Sequence, residues 1–241
     1  MLIVPFTVGA LDAGPSWRHL PLLLAWLVGY CAFFAAGLWL RSRGKRRYWP
    51  PVRTYGVLTV VLALVVIAVR PDAAHWVVVF FPLLAFSLWC SWRRADRSLL
   101  SDGVTVLAAC LMTVVAAGFG QRIGKPQAPG LAGLAWLPGA DQGRTWVLAG
   151  LLLAYFAGTV LYVKTMIRDR GDAGRYRLSV MYHVAVCVPA AVASPWLGAL
   201  FAAFAVRAAV VPKRWPGLTA TTIGAGEIVA SLTLATMLLL A

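Results

Sequence analysis

Charged residues are scarce in this chain. Asp, Glu, Lys and Arg make up only 12% of its 241 residues, whereas soluble domains carry roughly 25%. Acidic residues are scarcest, with 8 Asp and Glu against 22 Lys and Arg. Hydrophobic residues account for 61% of the chain, and the mean hydropathy is +0.80. These values exclude an ordinary soluble domain and indicate a chain whose main solvent is lipid.

Motifs that would assign a reaction are absent from the sequence. It has no Walker A loop, GxSxG turn, HExxH helix or GxGxxG fingerprint. The four cysteines lie in or beside apolar runs without CxxC spacing, so we interpret them as small core residues. The net charge of +14 comes from short basic clusters between apolar runs. It therefore does not indicate nucleic-acid binding, which requires a separable basic surface.

Long apolar runs dominate the chain, and they are continuous rather than alternating. Continuous runs favour transmembrane helices over barrel strands. Eight candidate spans lie at 20–40, 52–69, 74–92, 99–119, 145–164, 178–193, 195–211 and 218–241. A ninth run, 1–11, is too short to cross a bilayer of about 30 Å, and we interpret it as the second half of a helix. The sequence therefore predicts an all-α polytopic bundle of about nine helices in a single membrane domain, 1–241.

The distribution of Lys and Arg predicts the orientation of these helices. Four alternate connections, 41–53, 93–97, 164–177 and 207–214, hold 17 of the basic residues, and the other connections hold 5. Because basic connections stay in the cytoplasm, the four loaded connections are predicted to be cytoplasmic. The C-terminus is then predicted to lie outside.

The stretch LYVKTMIRDRGD, 161–172, is the first candidate site. Lys164 and Arg168 are four residues apart and share a helix face, and Asp169 and Asp172 share another face if the helix continues. Gly171 is expected to end the helix near there. Two cations suit a phosphate or diphosphate, and two carboxylates suit a divalent metal. The alternative is a positive anchor whose acids pair with neighbouring arginines.

Polar residues within the later spans form a second candidate site. Tyr176, Ser179 and His183 follow a helical stripe that is expected to face the bundle. His183 is interpreted either as a proton carrier or metal ligand, or as a structural hydrogen-bonding residue.

Glu227 is the single glutamate of the chain. Counted from Gly217, it lies about 15 Å along its span, where a carboxylate needs a partner or a proton. Arg207 is the nearest candidate partner in the sequence, and a functional role for Glu227 is favoured.

A third basic and acidic segment is RRADRSLLSD, 93–102, which is predicted to lie on the same side of the membrane. Arg94, Arg97 and Asp102 are added here to the candidate ligand-binding residues. Asp102 stands at the start of its span, where a helix cap is the simplest interpretation.

Six runs of the sequence resemble the signature blocks of the YwiC-like family of bacterial multipass membrane proteins. They are LIVPFTVG (2–9), HLPLLLAWLVGY (19–30), RRADRSLLSD (93–102), TVLYVKTMIRDRG (159–171), YRLSVMYH (176–183) and IGAGE (223–227). The resemblance implies a bacterial inner-membrane location. A short HGAW-containing segment that precedes the first block in the family is absent here, so Met1 is interpreted as an internal methionine.

A weaker, fold-level resemblance is to the UbiA-type membrane prenyltransferases. That resemblance implies Mg²⁺ and an isoprenoid diphosphate, held by Asp-rich motifs after helices two and six. Asp169 and Asp172 occupy the position of the second motif. After helix two this chain has RSRGKRRYWPP (41–51), which contains no carboxylate, so it departs from the first motif.

Three hypotheses follow for the function. The first is an enzyme or binder of an anionic lipid or isoprenoid diphosphate at the charged cytoplasmic face. The second is a proton-coupled small-molecule transporter that uses Glu227. The third is a non-catalytic membrane assembly protein whose polar residues serve packing.

Overall fold

The computed structural model describes residues 1–96, 98–121, 133–134 and 136–241. Within these residues the chain forms nine α-helices and no strand. The helices are α1 (Val4–Asp12), α2 (His19–Arg41), α3 (Trp49–Val69), α4 (Val77–Trp92), α5 (Leu99–Gly118), α6 (Gly143–Ile167), α7 (Ala173–Ala193), α8 (Pro195–Arg214) and α9 (Ala220–Leu240). Eight helical segments among the described residues are long and apolar enough to cross a membrane. Six are α2 and α5 to α9, and two are α3 and α4 with the 3-10 turns that precede them, Arg46–Val69 and Pro71–Trp92. The eight predicted spans and the all-α membrane fold are therefore confirmed.

The chain divides into two compact units, which are described separately. The N-terminal unit comprises Leu2–Ala149, and the C-terminal unit comprises Gly150–Ala241 together with Met1. Helix α6 belongs to both units because the division falls near its first turns.

The short helix α1 is a buried element of the N-terminal unit. Its nine residues rise only about 13 Å, which is too little to cross a bilayer. Phe6 and Val8 are 3% and 0% exposed. A methyl group at Gly9 would lie 2.8 Å from the backbone carbonyl carbon of Thr113 in α5. The absence of a side chain at Gly9 therefore lets α1 and α5 approach closely.

Helices α2, α3 and α4 complete the N-terminal unit and expose large apolar side chains. Along α3 only Val66 is buried, while Val57, Val60 and Leu64 are about three-fifths exposed. A continuous apolar surface of this kind is unfavourable in water but is the expected lipid-facing surface of a membrane helix.

Side chains cap the N-termini of three helices. Ser98 caps α5, because its hydroxyl accepts a hydrogen bond from the Ser101 backbone N–H at 3.2 Å. The prediction that Asp102 caps this helix is wrong, since Asp102 lies inside its first turn. Thr219 caps α9 through the Thr222 N–H at 3.2 Å. Helix α7 is capped by Asp172.

The C-terminal unit is built around an antiparallel pair, α7 and α8, whose turn is set by Pro195 at the first position of α8. The Tyr176 hydroxyl of α7 donates to the Ala209 carbonyl of α8 at 2.8 Å. Helix α9 packs on α8. Because α9 begins at Ala220, Glu227 lies about 10 Å from its start, nearer the helix end than the 15 Å expected.

Candidate functional site

Glu227 lies in a polar cluster formed by three helices of the C-terminal unit. Its Oε1 atom is 2.7 Å from Nη1 of Arg207 on α8. Its Oε2 atom accepts hydrogen bonds from the Tyr155 hydroxyl at 3.0 Å and the Thr159 hydroxyl at 2.8 Å. The Glu227 and Arg207 side chains are 14% and 21% exposed. The expected partnership of Glu227 with Arg207 is therefore confirmed.

Arg207 is held on two sides and leaves one edge of its guanidinium group unused. The Arg207 Cζ atom lies 4.5 Å from the centre of the Tyr162 ring and 5.4 Å from that of Phe204, which are cation–π distances. Its Nε and Nη2 atoms are buried, and neither has a hydrogen-bond partner among the described residues. These two donors form the fork that binds a carboxylate or phosphate through two parallel hydrogen bonds.

The α6 side of the cluster comes from a helical stripe that sequence reasoning missed. Tyr155, Thr159 and Tyr162 follow at i, i+4 and i+7, so they share one face of the helix. All three are less than one-tenth exposed. The signal was available in the sequence, because this i, i+4, i+7 spacing places three hydroxyl groups in one apolar span. A stripe of this kind in a membrane helix faces protein rather than lipid.

His183 is buried beside α6, and its contacts favour a structural role. His183 is 4% exposed and Ser179 is 1% exposed, as expected for their stripe. The His183 Nδ1 atom lies 2.7 Å from the Ser179 carbonyl. A methyl group at Gly158 of α6 would lie 2.9 Å from His183 Nε2, so the ring packs against the α6 backbone. The proton-carrier and metal-ligand interpretations of His183 stay predictions.

The charged stretch after α6 differs from the helical arrangement that was expected. Helix α6 ends at Ile167, four residues before Gly171, whose φ of +87° belongs to the following turn. Asp169 and Asp172 therefore do not share a helix face. Lys164 lies in the last turn of α6, and its carbonyl accepts the backbone N–H of Arg168 at 2.9 Å.

The two acids of this stretch have protein partners. Asp172 Oδ1 accepts the backbone N–H groups of Gly174 at 2.8 Å and Arg175 at 3.1 Å, which makes it the cap of α7. Asp169 Oδ2 lies 3.6 Å from Arg175 Nε. The Asp169 contact matches the alternative in which the acids pair with neighbouring arginines. Asp172 differs from it, because its partners are backbone N–H groups.

Magnesium at Asp169 and Asp172 is not favoured by this arrangement. Within the part of the chain that the structure describes, no group of three His, Cys, Asp or Glu side chains is placed to hold a metal ion. Mg²⁺ prefers several oxygen ligands in octahedral geometry, whereas Asp172 uses Oδ1 for the cap. The metal site stays a prediction without support from the donor set.

The segment after α4 connects two helices of the N-terminal unit. Asp96 Oδ2 lies 2.7 Å from Arg41 Nη1 at the end of α2, and Arg94 Nη2 donates to the Arg41 carbonyl at 3.4 Å. This link was not predicted. Arg97 lies outside the described residues, and Asp102 is in the first turn of α5. The contacts of Arg94 and Asp96 are structural, and the ligand-binding roles of Arg94, Arg97 and Asp102 stay predictions.

Eight helical segments of spanning length among the described residues, with a polar cluster within them, define a polytopic helical membrane protein. Residues 1–117 match the family model described as "YwiC-like protein". The chain is also 29% identical to "Uncharacterized protein YwiC" of Bacillus subtilis (strain 168), over 95% of this chain and 88% of that protein. The chain is therefore similar to the YwiC-like family, in agreement with the resemblance that its signature blocks indicated.

A second relative is an "Uncharacterized protein" of Haemophilus influenzae, 25% identical over 89% of this chain and 83% of that protein. Both relatives come from bacteria, which agrees with the predicted bacterial origin. No solved structure matches the chain. The fold-level resemblance to the UbiA-type prenyltransferases therefore stays a prediction.

Proposed function

We propose that this protein binds an anionic lipid or an isoprenoid diphosphate within α6–α9, with Arg207 as the residue that receives the anionic group. The observation that carries the proposal is the buried Nε and Nη2 edge of Arg207, which has no hydrogen-bond partner among the described residues. Buried donors without a partner cost roughly 1–3 kcal/mol each. An oxyanion on this edge would recover that cost.

The surroundings of Arg207 hold the guanidinium group in a fixed orientation for such a ligand. Glu227 contacts Nη1 from one side, and the Tyr162 ring covers one face. Because Tyr155 and Thr159 fix the other oxygen of Glu227, the ion pair has little freedom to turn. A fixed arginine fork binds phosphate or carboxylate with less loss of conformational entropy.

Basic residues at the nearby helix ends favour an anionic ligand electrostatically. Arg207 lies seven residues before the end of α8, and Lys213 and Arg214 are exposed at that end. Lys164 and Arg168 lie at the end of α6. If these ends are cytoplasmic, as the charge distribution predicts, they attract anionic groups of that leaflet, and an apolar tail would lie along the lipid-facing helices.

Native mass spectrometry of the purified protein tests this proposal. The wild type should retain an anionic lipid or prenyl diphosphate, and Arg207→Lys should lose most of it. Lysine keeps the positive charge but lacks the two parallel donors. Arg214→Lys, at an exposed position, is the matched control and should bind as the wild type does. Equal occupancy in the wild type and Arg207→Lys would overturn the proposal.

The mass of the retained molecule separates the two ligand sources. Phospholipid masses would identify a headgroup site, whereas prenyl diphosphate masses would support prenyltransferase-like chemistry. Added Mg²⁺ should leave lipid occupancy unchanged, because the proposal assigns no metal to Asp169 or Asp172. Magnesium-dependent binding would return these two acids to the site.

A proton-coupled transporter is the second candidate, and the placement of Glu227 is the observation that favours it. A carboxylate with one ion-pair partner and two hydroxyl donors inside an apolar helix is a common feature of proton pathways. Flux in proteoliposomes with an imposed pH gradient would test it. Glu227→Gln should abolish the coupling of flux to the gradient, and unchanged coupling would exclude this role.

A further inference from the structure

A cleft lies between α2 and α3 in the N-terminal unit. Its volume is about 300 Å³, at the lower end of the range for small-ligand pockets, roughly 300–1,000 Å³. Cys31, Phe34 and Leu38 of α2 line one wall. Tyr48 and Tyr55 belong to the opposite side. Since the lining contains no Asp, Glu, Lys or Arg, the cleft suits a hydrocarbon chain.

Direct contacts between the two helices bound the cleft at both ends. At one end, a methyl group at Gly29 would lie 3.6 Å from Thr59 Cγ2. At the other end, the centres of the Trp39 and Trp49 rings are 5.2 Å apart. The cleft runs along α2 from Tyr30 to Leu38, about 12 Å at the rise of a helix. It is therefore a defined slot rather than a continuous lipid-facing groove.

A cation is fixed at the rim of the slot. Arg47 Nη2 donates to the Tyr48 hydroxyl at 2.6 Å, and the Arg47 Cζ atom lies 4.7 Å from the centre of the Tyr48 ring. Tyr48 lines the slot, so the guanidinium group stands where the slot meets the basic connection. Arg43, Lys45 and Arg46 in the same connection are also exposed. The rim is therefore strongly positive, and Trp39 and Trp49 lie beside it in the sequence, as expected for tryptophans of an interfacial belt.

We infer that this slot binds one anionic phospholipid, with an acyl chain between α2 and α3 and its phosphate on Arg47. The inference rests on charge complementarity between the basic rim and a phosphate, next to an apolar slot that can hold part of an acyl chain. A zwitterionic lipid offers the same chain but balances its phosphate with its own cation. This site is independent of the function proposed above, because none of its residues belongs to the C-terminal unit.

Cys31 provides a direct readout of occupancy. It is exposed, so its interpretation as a core residue is wrong. Because it lines the slot, a bound chain should shield its thiol. The remaining cysteines, Cys90, Cys110 and Cys187, are replaced by alanine so that a membrane-permeant maleimide reports on Cys31 alone. In nanodiscs that contain phosphatidylglycerol, labelling should be at least about threefold slower than in pure phosphatidylcholine, as for a site two-thirds filled.

Three variants separate a specific site from ordinary lipid contact. Arg47→Ala should remove the difference between the two lipids, whereas Arg214→Ala, an exposed arginine of the C-terminal unit, should preserve it. Ala35→Phe fills the slot and should also remove the difference, although it lowers labelling in both lipids. Equal labelling rates in the two lipids for the parent protein, or a difference that persists in Arg47→Ala, would overturn the inference.

Discussion

Glu227 and Arg207 reach each other from neighbouring helices, with Glu227 Oε1 2.7 Å from Arg207 Nη1. Arg207 lies about 10 Å before the C-terminal end of α8 at Arg214, and Glu227 lies about 10 Å after the N-terminal start of α9 at Ala220. The pair explains how the apolar helix α9 tolerates the single glutamate of the chain, because each charge compensates the other. It also orients the guanidinium group whose free edge we propose as the anion site.

Breaking this pair should be more damaging than removing it. Arg207→Leu or Glu227→Leu alone should lower the free energy of unfolding by about 3 kcal/mol, since each leaves a partly buried charge without its partner. The double variant should cost clearly less than the sum of the two. Denaturant unfolding in detergent micelles measures all four proteins. Strictly additive losses would show that the two charges do not interact energetically.

Asp172 should act as a helix cap rather than as a metal ligand. Asp172→Ala should lower the free energy of unfolding by about 1 kcal/mol, because the Gly174 and Arg175 N–H groups lose their acceptor. Asp172→Asn should be close to the wild type, since asparagine caps helices equally well. Thermal unfolding with and without Mg²⁺ checks both variants. Stabilisation of the wild type by Mg²⁺ that is lost in Asp172→Asn would contradict the cap.

Gly158→Ala should disturb the packing of α6 against His183. The added methyl group would lie 2.9 Å from His183 Nε2, so the ring must shift and weaken its contact with the Ser179 carbonyl. We expect a loss of about 1–2 kcal/mol in unfolding free energy.

The matched control is Gly150→Ala on the same helix, where a methyl group meets no atom within 4 Å. There the higher helix propensity of alanine should be neutral or stabilising. In the His183→Ala background, Gly158→Ala should cost less unfolding free energy, because the ring that it clashes with is gone. An equal cost in both backgrounds would place the strain elsewhere.

Gly9→Ala should separate α1 from α5 in the N-terminal unit. The methyl group would meet the backbone of Thr113, which cannot move aside as a flexible side chain can. We expect a loss of at least about 2 kcal/mol in unfolding free energy. Gly56→Ala on α3, where a methyl group has open space, is the control. Limited proteolysis and unfolding in detergent measure the effect, and equal stability of the two variants would show that α1 is loosely packed.

The helices were predictable because each apolar run must satisfy its own backbone hydrogen bonds in lipid. Length and hydropathy alone located all eight spans. For most of the span ends, the prediction and the structure agree to within a few residues. The Arg207 partner of Glu227 was also predictable, since an acid in an apolar helix needs compensation and basic residues are few. Tyr155 and Thr159 were overlooked because hydroxyl groups are common in membrane helices and their helical spacing carries meaning only beside a partner.

The sequence by itself determined the class of protein and the positions of the helices, and its signature blocks indicated the similarity to the YwiC-like family. Only the tertiary structure decided what the charged residues contact, because those contacts join helices far apart in the chain. It assigned Asp172 to a helix cap and Asp96 to Arg41, and it placed Arg207, Tyr155 and Thr159 around Glu227. Local hydrophobicity sets the position of a membrane helix, whereas the rotation of each helix about its axis, which decides its polar contacts, depends on packing against its neighbours.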